Sequence, residues 1–337
     1  MDIVPVCVGL DYHQAAVQVC VVDEAGSVLA NRSCHNDWLA IQSLAEVHGQ
    51  VKGVAIEACT GAADLAEELM FHAGWSVDLA HPGYVRRMKQ SPDKTDWGDA
   101  RVLADLERVG YLPRVWLAPL EVRELRRVVR YRQQLANERR NIKLRVSALL
   151  RDQRVRGPRV SRWTQMWTGW LRDTTAVSPQ SRWILDRHLK HLAVVVDEIE
   201  EVEAHLAEMT AHDVMVDHLL KYKGIGPVTA WTIRAEIGQF DRFRSGKQAS
   251  RFCGLSPCNA SSGQRQADAG LIKAGNRQLR AMLIEASHRL IRQDARWKGF
   301  AESLLRRGKP KSVVAAAVAN RWIRWLYHQV QPSQLVA

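Results

Sequence analysis

The first hundred residues alternate short strands with helices, and this order limits the folds that the chain can adopt. Short apolar runs, and apolar residues that alternate with polar ones, predict strands, whereas apolar residues at helical spacing predict helices. The predicted elements are strands at residues 4–10, 15–22 and 27–33, a helix at 38–47, a strand at 51–56, a helix at 62–73 and a strand at 75–80. This order indicates an α/β domain that opens with three antiparallel strands.

Four carboxylates stand at the ends of these elements. Asp11 follows the first strand and Glu57 ends the fourth, while Asp96 and Asp99 open a further helix and share one side of it. Each acid alone is also what a solvated surface or a helix start carries. Their joint placement at strand ends, where α/β sheets present their chemistry, indicates a site for a hard cation such as Mg²⁺. Four such groups can hold two ions about 4 Å apart, which clamps a phosphate during transfer.

A long basic helix is predicted after residue 119. Residues 120–156 contain neither Pro nor Gly, and their apolar side chains recur at helical spacing. Few acids accompany its basic side chains, which are Arg123, Arg126, Arg127, Arg130, Arg132, Arg139, Arg140, Lys143 and Arg145. A solvated face would carry such charges too, but the formal net charge of +12 favours contact with a nucleic-acid backbone. We expect Arg126, Arg127 and Arg130 to make this contact.

A second long helix is predicted at residues 183–209, where apolar side chains run close to a heptad spacing and the outer positions are acidic. The two long helices would form either an antiparallel hairpin in one chain or a seam between two chains. Between them, Trp163, Trp167 and Trp170 recur at helical spacing. This spacing is typical of an apolar stripe packed on another helix, and base stacking is the alternative.

The last third of the chain begins with a glycine-rich turn ahead of a predicted helix, Gly224-Ile225-Gly226-Pro227. The turn resembles a helix-hairpin-helix element, in which Gly224 and Gly226 would present backbone N–H groups of a helix start to a phosphate. A tight structural turn is the alternative. Farther on, a polar loop rich in Ser and Gly leads through Gly275-Asn276 into a basic helix.

Two sets of motifs give the chain a family resemblance over nearly its whole length. The first set is Gly9-Leu10-Asp11, Ile56-Glu57-Ala58 and Lys94-Thr95-Asp96-x-x-Asp99-Ala100-Arg101. The second set is Gly254-Leu255-Ser256-Pro257, Ser261-Ser262-Gly263 and Lys273-Ala274-Gly275-Asn276-Arg277-Gln278-Leu279-Arg280. Together they resemble the Asp-Glu-Asp-Asp transposases of insertion sequences, which are related to the Piv/MooV DNA invertases.

The resemblance implies a fold and a domain organisation. Residues 1–118 would be an α/β domain of the ribonuclease-H-like, RuvC-like type that binds metal. Residues 119–212 would be an α-helical coiled-coil region for assembly into a homo-oligomer, a dimer or a tetramer. Residues 213–337 would be a mainly α-helical transposase domain with the helix-hairpin-helix-like element.

The resemblance also implies residue roles. The four carboxylates would bind Mg²⁺, for which Mn²⁺ would substitute, and would act in catalysis together with Ser262. Ser262 matches the family's proposed nucleophile, and Ser261 lies next to it. The residues that would bind DNA phosphates are Arg265, Lys273, Arg277 and Arg280.

The function implied is that of a transposase, which cuts and rejoins DNA strands through a covalent phosphoserine with the assistance of Mg²⁺. The resemblance further implies guidance by a structured noncoding bridge RNA, so DNA and RNA are both expected partners. The alternative is a metal-dependent, resolvase-like endonuclease in which Ser262 is structural. A non-catalytic nucleic-acid-binding protein is the third hypothesis, against which the four acids argue.

Some features depart from the family or bear on the compartment. Gln14 stands where the family has Lys, and the segment that follows Glu57 is one residue longer and lacks an aromatic before Ala63. The six cysteines are scattered, which favours reduced thiols in a cytoplasmic protein over a zinc site. No basic leader and no apolar run near the ~20 residues of a membrane span are present, so no membrane partner is expected.

Overall fold

The described residues of the N-terminal unit, Met1–Pro119, form a six-stranded sheet. The computed structural model of the chain describes residues 4–88, 95–259, 268–272 and 274–330. The strands are β1 (Pro5–Tyr12), β2 (Ala16–Asp23), β3 (Val28–His35), β4 (Gln50–Glu57), β5 (Val77–Ala80) and β6 (Arg114–Val115). Their order across the sheet is β3-β2-β1-β4-β5-β6.

The sheet is mixed. The first three strands pair antiparallel, β4 runs parallel to β1, β5 runs parallel to β4, and β6 is antiparallel to β5. The predicted α/β domain with three leading antiparallel strands is therefore confirmed. The sequence did not predict β6, because two residues are too few to show an alternating pattern.

Helices cover both faces of the sheet. They are α1 (Trp38–Glu46), α2 (Ala62–Glu68), which a π-helical turn (Leu69–Ala73) extends, α3 (Pro82–Met88) and α4 (Asp96–Arg108). On one face, Leu10 packs with Ile41 of α1 and Leu65 of α2. On the other face, Cys7 packs with Ala104 of α4. Burial on both faces explains why β1 is an apolar run rather than an alternating one.

Gly9 allows α4 to lie directly on β1. A Cβ atom at this position would lie 2.0 Å from the carbonyl oxygen of Ala100 and 2.4 Å from the amide nitrogen of Ala104. Real Cβ atoms do not approach other atoms so closely, so a side chain here would displace the helix. The absence of that side chain therefore brings the first turn of α4 to the end of β1.

Two long helices, α5 (Leu120–Asp152) and α7 (Pro179–Met209), pack together in the C-terminal unit, Leu120–Ala337. Leu150, near the end of α5, packs with Leu185, near the start of α7. Leu125 and Leu206 share a cluster at the opposite end of the pair. The two helices are therefore antiparallel within one chain, which is the hairpin alternative predicted above.

A short helix, α6 (Gln165–Asp173), connects the two long helices and carries the predicted tryptophan stripe. Trp167 is buried in a cluster with Leu150 and Leu185. Its ring centroid lies 4.8 Å from that of Trp163 and 5.8 Å from that of Trp170. The packing interpretation is therefore confirmed for Trp167, although Trp163 precedes the helix and has a positive φ of 67°.

The rest of the C-terminal unit is mainly helical. Its elements are α8 (Val214–Leu220), α9 (Pro227–Ile237), α10 (Gly246–Phe252), β7 (Pro257–Asn259), β8 (Asp268–Leu271), α11 (Arg277–Gln293), α12 (Ala295–Arg306) and α13 (Lys311–Gln329). Leu125 and Leu206 of the hairpin share one core with Trp231 and Trp322, so the predicted boundary after residue 212 stays a prediction. Along the described part of the chain, no helix combines the length and the apolar character needed to cross a membrane.

Candidate active site

Asp11 and Glu57 lie side by side near the carboxyl ends of β1 and β4, the two central strands of the sheet. The register of the parallel strands β1 and β4 pairs Leu10 with Ile56, so the next residue of each strand is an acid. The Asp11 side chain is 16% exposed, and Glu57 is half-buried. Carboxyl ends of parallel strands are where open α/β sheets bind ligands, so these strand ends are a suitable position for a cation.

The other two acids come from the first turn of α4. Thr95 caps this helix, because its Oγ1 accepts a hydrogen bond of 3.1 Å from the amide of Gly98. The amide of Asp99 donates to the carbonyl oxygen of Thr95 at 2.9 Å, which fixes the first turn. Asp99 is buried, whereas Asp96 is exposed. The helix start thus offers one fixed carboxylate and one that is open to solvent.

His13 is a residue of this site that the sequence analysis missed. Its Nε2 lies 3.5 Å from Oδ2 of Asp11 and 3.3 Å from Oδ2 of Asp96. One ligand atom from each of these three residues lies within 4.8 Å of the others, which is close enough to surround a single cation. A ring nitrogen among carboxylate oxygens also suits Mn²⁺ and other transition metals. Its position two residues after Asp11 was the signal that could have revealed it.

The four acids act on one another electrostatically. Burial raises the pKa of Asp11 above its ordinary value, and the charges of Asp99, Asp96 and Glu57 raise it further, while His13 lowers it. Like charges held this close favour binding of a cation, which would remove their repulsion. The donor set therefore fits a divalent metal ion. Ligand atoms of Asp11, His13 and Asp96 lie close enough to share one ion, and metal binding by all four acids stays a prediction.

The loop after Glu57 packs against an aromatic ring. Gly61 has a φ of +92°, and a Cβ atom there would lie 2.1 Å from the hydroxyl oxygen of Tyr12. Glycine is the residue that tolerates this conformation without strain. The aromatic that the family pattern places after Gly61 is absent from this loop, but Tyr12 of β1 places a ring against it.

The motifs of the C-terminal unit pack backbone to backbone. A Cβ atom on Gly275 would lie 2.3 Å from the Cα of Gly254, so the two glycine loops are in direct contact. The Nη1 of Arg280 donates to the carbonyl oxygen of Ile272 at 2.8 Å. Arg280 thus stabilises this loop from within the chain. Arg277 is exposed in the first turn of α11. Residues Ser261, Ser262, Arg265 and Lys273 lie outside the described residues, as does Lys94.

A buried carboxylate, Glu236 of α9, lies beside two of the predicted nucleic-acid contacts: it pairs with Arg130, and its Oε2 lies 4.0 Å from Nε of Arg126. Arg130 donates to it from Nε at 2.8 Å and from Nη2 at 3.0 Å, and Asn276 donates from Nδ2 at 2.7 Å. Arg126 donates to the carbonyl oxygen of Ala235 at 2.9 Å. Both arginines therefore have intramolecular partners, and their nucleic-acid contacts stay a prediction.

Arg127 and the glycine-rich turn are the remaining predicted contacts. The Arg127 side chain is exposed and pairs with Glu124 on the same helix. The turn joins α8 to α9, with Gly224 at a φ of +85° and Gly226 at the N-cap of α9. The carbonyl oxygen of Gly224 accepts a hydrogen bond of 3.1 Å from Nε of Arg289. The amides at the start of α9 therefore lie near the cationic side chain of Arg289. The role of Gly224 and Gly226 in binding phosphate stays a prediction.

Comparisons with known proteins identify relatives of both units. The DEDD_Tnp_IS110 family model, described as a transposase, matches residues 8–153, a range that contains all four acids. The model described as "Transposase IS116/IS110/IS902 family" matches residues 216–302. Both matches agree with the two sets of motifs.

Curated relatives extend the match to almost the whole chain. A "Probable family 20 transposase" of Pseudomonas aeruginosa is 30% identical over 341 residues, which cover 95% of each chain. The "Transposase for insertion sequence element IS1111A" of Coxiella burnetii is 24% identical and covers 94% of this chain and 88% of its own. The "Transposase for insertion sequence element IS1328" of Yersinia enterocolitica is 26% identical over 80% of this chain. The chain therefore belongs to the IS116/IS110/IS902 family of insertion-sequence transposases, which are enzymes that cut and join DNA.

Proposed function

We propose that this chain cuts and rejoins DNA at the ends of an insertion sequence, with divalent cations held by Asp11, Glu57, Asp96 and Asp99. The observation that carries the proposal is the convergence of these acids from β1, β4 and α4 near the carboxyl ends of the two central strands. The mixed sheet, with three leading antiparallel strands and β4 and β5 parallel to β1, supports a ribonuclease-H-like, RuvC-like domain.

The residues have distinct parts in this proposal. Bound Mg²⁺ would polarise the scissile phosphate and stabilise the charge on the departing oxygen. Asp11 and Glu57 would hold the ion from the sheet, and the buried Asp99 would hold it from the capped first turn of α4. Asp96 and His13 are exposed at the rim, where they would orient the ion toward the incoming strand. The nitrogen of His13 also supports Mn²⁺ as a substitute.

A covalent serine step is the second part of the proposal. The Oγ of Ser262 would form a bond to phosphorus while the bond from phosphorus to a sugar oxygen breaks. The serine proton would pass to solvent water, and solvent water would donate a proton to the departing sugar oxygen, which leaves as a hydroxyl; rejoining reverses both changes. The contact between Gly254 and Gly275 supports this step, because it joins the two motifs that flank the segment containing Ser262.

Metal-dependent cutting has more support than the serine step. The family model that matches residues 8–153 is of the Asp-Glu-Asp-Asp type, whereas the role of Ser262 rests on the resemblance of the second motif set. A metal-dependent, resolvase-like endonuclease without covalent serine chemistry is therefore the better-supported form of the proposal.

The resemblance also supports proposals about partners. We infer that a structured noncoding bridge RNA guides the chain to its DNA, and that the chain acts as a homo-oligomer, a dimer or a tetramer. The exposed Arg127 and its basic neighbours on α5 support contact with RNA. The antiparallel pair of α5 and α7 supports a coiled-coil role in assembly.

One experiment distinguishes the two chemical schemes. The full chain, expressed with the DNA that flanks its gene, is incubated with an element junction and Mg²⁺, and the denatured products are searched for a protein–DNA adduct. The variants are Asp11→Ala, Ser262→Ala and Ser261→Ala, with Asp105→Asn, which pairs with Arg108 away from the site, as the control carboxylate.

The outcomes differ clearly. The metal centre is supported if Asp11→Ala abolishes cleavage while Asp105→Asn preserves it. An adduct that Ser262→Ala and Asp11→Ala remove and Ser261→Ala retains supports the serine step, whereas full cleavage by Ser262→Ala leaves the metal-dependent endonuclease. Cleavage that persists in Asp11→Ala rejects the metal centre. Loss of activity after ribonuclease treatment, and its return with the flanking transcript, would support the guide RNA.

A further inference from the structure

A groove of about 970 Å³ lies on the C-terminal unit, beside the hairpin of β7 and β8. Residues of α10, β7, β8, α12 and α13 line it, and none of the proposed metal ligands belongs to this unit. Its floor is apolar, and consists of Leu255, Leu271, Phe300, Val313 and the two alanines Ala316 and Ala317. The groove therefore differs in chemistry from the acidic site at the ends of β1 and β4.

The floor is rigid and open to solvent. The Nδ2 of Asn320 donates to the carbonyl oxygen of Leu255 at 3.0 Å and to Oγ of Ser250 at 2.7 Å, which ties the start of the hairpin to α13. Val313 lies two turns before Asn320 on the same side of α13 and remains 48% exposed. An apolar surface that a folded chain leaves open in a concave site commonly takes a ligand.

Four cations surround this floor. They are Lys247, Lys309, Arg321 and Arg324. Gly246 makes their proximity possible, because a Cβ atom there would lie 2.8 Å from the carbonyl oxygen of Arg324, and its absence lets α10 lie directly on α13. Within the side chains that the structure describes, the groove lining includes no carboxylate and these four cations form no ion pair. Among the described side chains of the lining, the rim is thus cationic.

Arg321 connects the rim to the floor. Its guanidinium carbon lies 4.5 Å from the centroid of the Phe300 ring, so the cation is held over an aromatic face. A guanidinium positioned in this way can stack on a second flat ring while it pairs with a phosphate. This combination of flat apolar surface and fixed cation is what unpaired bases on a phosphate backbone require.

We propose that this groove binds an unpaired segment of DNA, with bases on the apolar floor and phosphates at the four cations. Duplex DNA presents phosphates and groove edges, and its base faces are covered by stacking, so it would leave the floor unused. A protein partner would have to supply several acids to match the rim, whereas a phosphate backbone supplies them in a row. The choice of DNA rests on the proposed function; the choice of an unpaired strand rests on the floor and rim.

The test measures binding of labelled oligothymidine to the full chain in EDTA over a range of salt concentrations. Val313→Asp places a carboxylate on the floor at an exposed position, and we expect it to weaken binding roughly tenfold, the equivalent of one lost stacked base. Ala317→Trp fills the groove without any change in charge, and the same loss is expected. Circular dichroism and thermal unfolding establish that both variants fold.

The rim is tested by the salt dependence. Four phosphate contacts on a single strand give a slope of log K against log salt of about −3. Lys309→Gln with Arg321→Gln should reduce this slope by roughly half, since two contacts are lost. The matched control is Arg187→Gln with Lys190→Gln on exposed positions of α7, which removes the same charge and should leave the groove-dependent binding intact.

Three results would overturn the proposal. The first is that Val313→Asp and Ala317→Trp bind oligothymidine as the wild type does, and the second is that duplex DNA competes as well as oligothymidine. The third is that oligouridine binds with the same dependence on Val313, which would replace DNA by RNA as the occupant. The assay contains no divalent cation, so it does not depend on Asp11. A chain that binds through the groove but fails to cleave would remove only the proposed function, and normal binding by a folded Val313→Asp would remove only the groove.

Discussion

At the scale of single residues, the charge of Asp11 links the candidate metal centre to stability. Its pKa in the folded chain is raised above the ordinary value of 3.8 by burial and by the neighbouring acids. A raised carboxyl pKa contributes stability that is fully present below the unfolded-state pKa and is lost as the pH rises through the folded-state pKa. Without a metal ion, Asp11 therefore weakens the fold at neutral pH.

We expect Asp11→Asn to unfold at a higher temperature than the wild type at pH 7 in EDTA, because it removes one of four mutually repelling charges. The difference should shrink as the pH falls toward 3.8, where the wild-type carboxyl is protonated. Added Mn²⁺ should stabilise the wild type more than the variant. Thermal unfolding against pH measures this, with Asp105→Asn as the control. A variant that is less stable than the wild type at pH 7 in EDTA would contradict it.

His13 gives a prediction about metal preference. Its Nε2 lies near the carboxylate oxygens of Asp11 and Asp96, and nitrogen ligands favour Mn²⁺ over Mg²⁺. We expect His13→Ala to weaken Mn²⁺ binding about tenfold, and Mg²⁺ binding less. Calorimetric titration with each ion measures the two affinities and their ratio. The control is His48→Ala, which lies before the start of β4 and so at the other end of this strand from Glu57. Equal losses for the two ions would contradict a direct ligand role.

The sequence predicted the acids of the site but not their neighbours. Asp11 and Glu57 could be predicted because they end apolar runs, and Asp96 and Asp99 because their spacing fits one side of a helix. His13 lies in the connection after β1, where no periodic pattern marks it, and only its position two residues after Asp11 could have indicated it. The closeness of Gly9 to Ala100 depends on how a helix packs ninety residues away in sequence, which local patterns do not contain.

At the scale of elements, the position of α4 on β1 can be tested directly. Gly9→Ala places a Cβ atom within 2.0 Å of the Ala100 carbonyl oxygen, so α4 must move away from β1. We expect a loss of stability of roughly 1–3 kcal/mol and a weaker affinity for Mn²⁺, since Asp96 and Asp99 move with the helix. Gly169→Ala, where a Cβ atom has open space, should not destabilise the fold. Wild-type Mn²⁺ affinity in Gly9→Ala would contradict this role of the contact.

Glu236 joins three helices through one buried carboxylate. Glu236 itself lies on α9. It accepts hydrogen bonds from Arg130 of α5 and from Asn276, the N-cap residue of α11. We expect Glu236→Ala to lower the free energy of unfolding by about 3 kcal/mol, because the partly buried guanidinium of Arg126 and the capping amide of Asn276 lose the buried carboxylate beside them. Glu124→Ala, which breaks the exposed pair with Arg127, should cost less than about 1 kcal/mol. Urea unfolding measures the loss of unfolding free energy in both variants. Equal losses would contradict the role of buried Glu236 in joining the three helices.

The elements themselves were largely predictable, and their partners were not. Short apolar runs and alternating patterns predicted the first five strands, and helical spacing predicted α5 and α7 to within a few residues. The start of α7 at Pro179 was missed, although Ser178 and Pro179 are typical of an N-cap and a first turn. The charge run on α5 predicted contact with nucleic acid for Arg130, but its partner Glu236 lies 106 residues away, where no local pattern indicates it.

At the scale of the whole molecule, the candidate metal centre belongs to a single unit. His13 and all four acids lie within Met1–Pro119, and the clusters around its sheet draw on this unit alone. We therefore expect residues 1–119 expressed alone to fold cooperatively and to bind Mn²⁺ with the affinity of the full chain. Calorimetry compares the fragment, its Asp99→Ala variant and the full chain. An unfolded fragment, or one without Mn²⁺ binding, would show that the site depends on the C-terminal unit.

The antiparallel pair of α5 and α7 sets a fixed distance within the C-terminal unit. Leu125 is anchored in the core of the C-terminal unit, and Leu150 belongs to the separate cluster with Trp167. The 25 residues between these two positions (150 − 125) span about 38 Å of helix axis, at 1.5 Å per residue. That length equals about eleven base pairs of duplex, or roughly one helical turn. Removal of one heptad from both helices would shorten this reach by about three base pairs, so any spacing requirement between two bound DNA segments should change by the same amount.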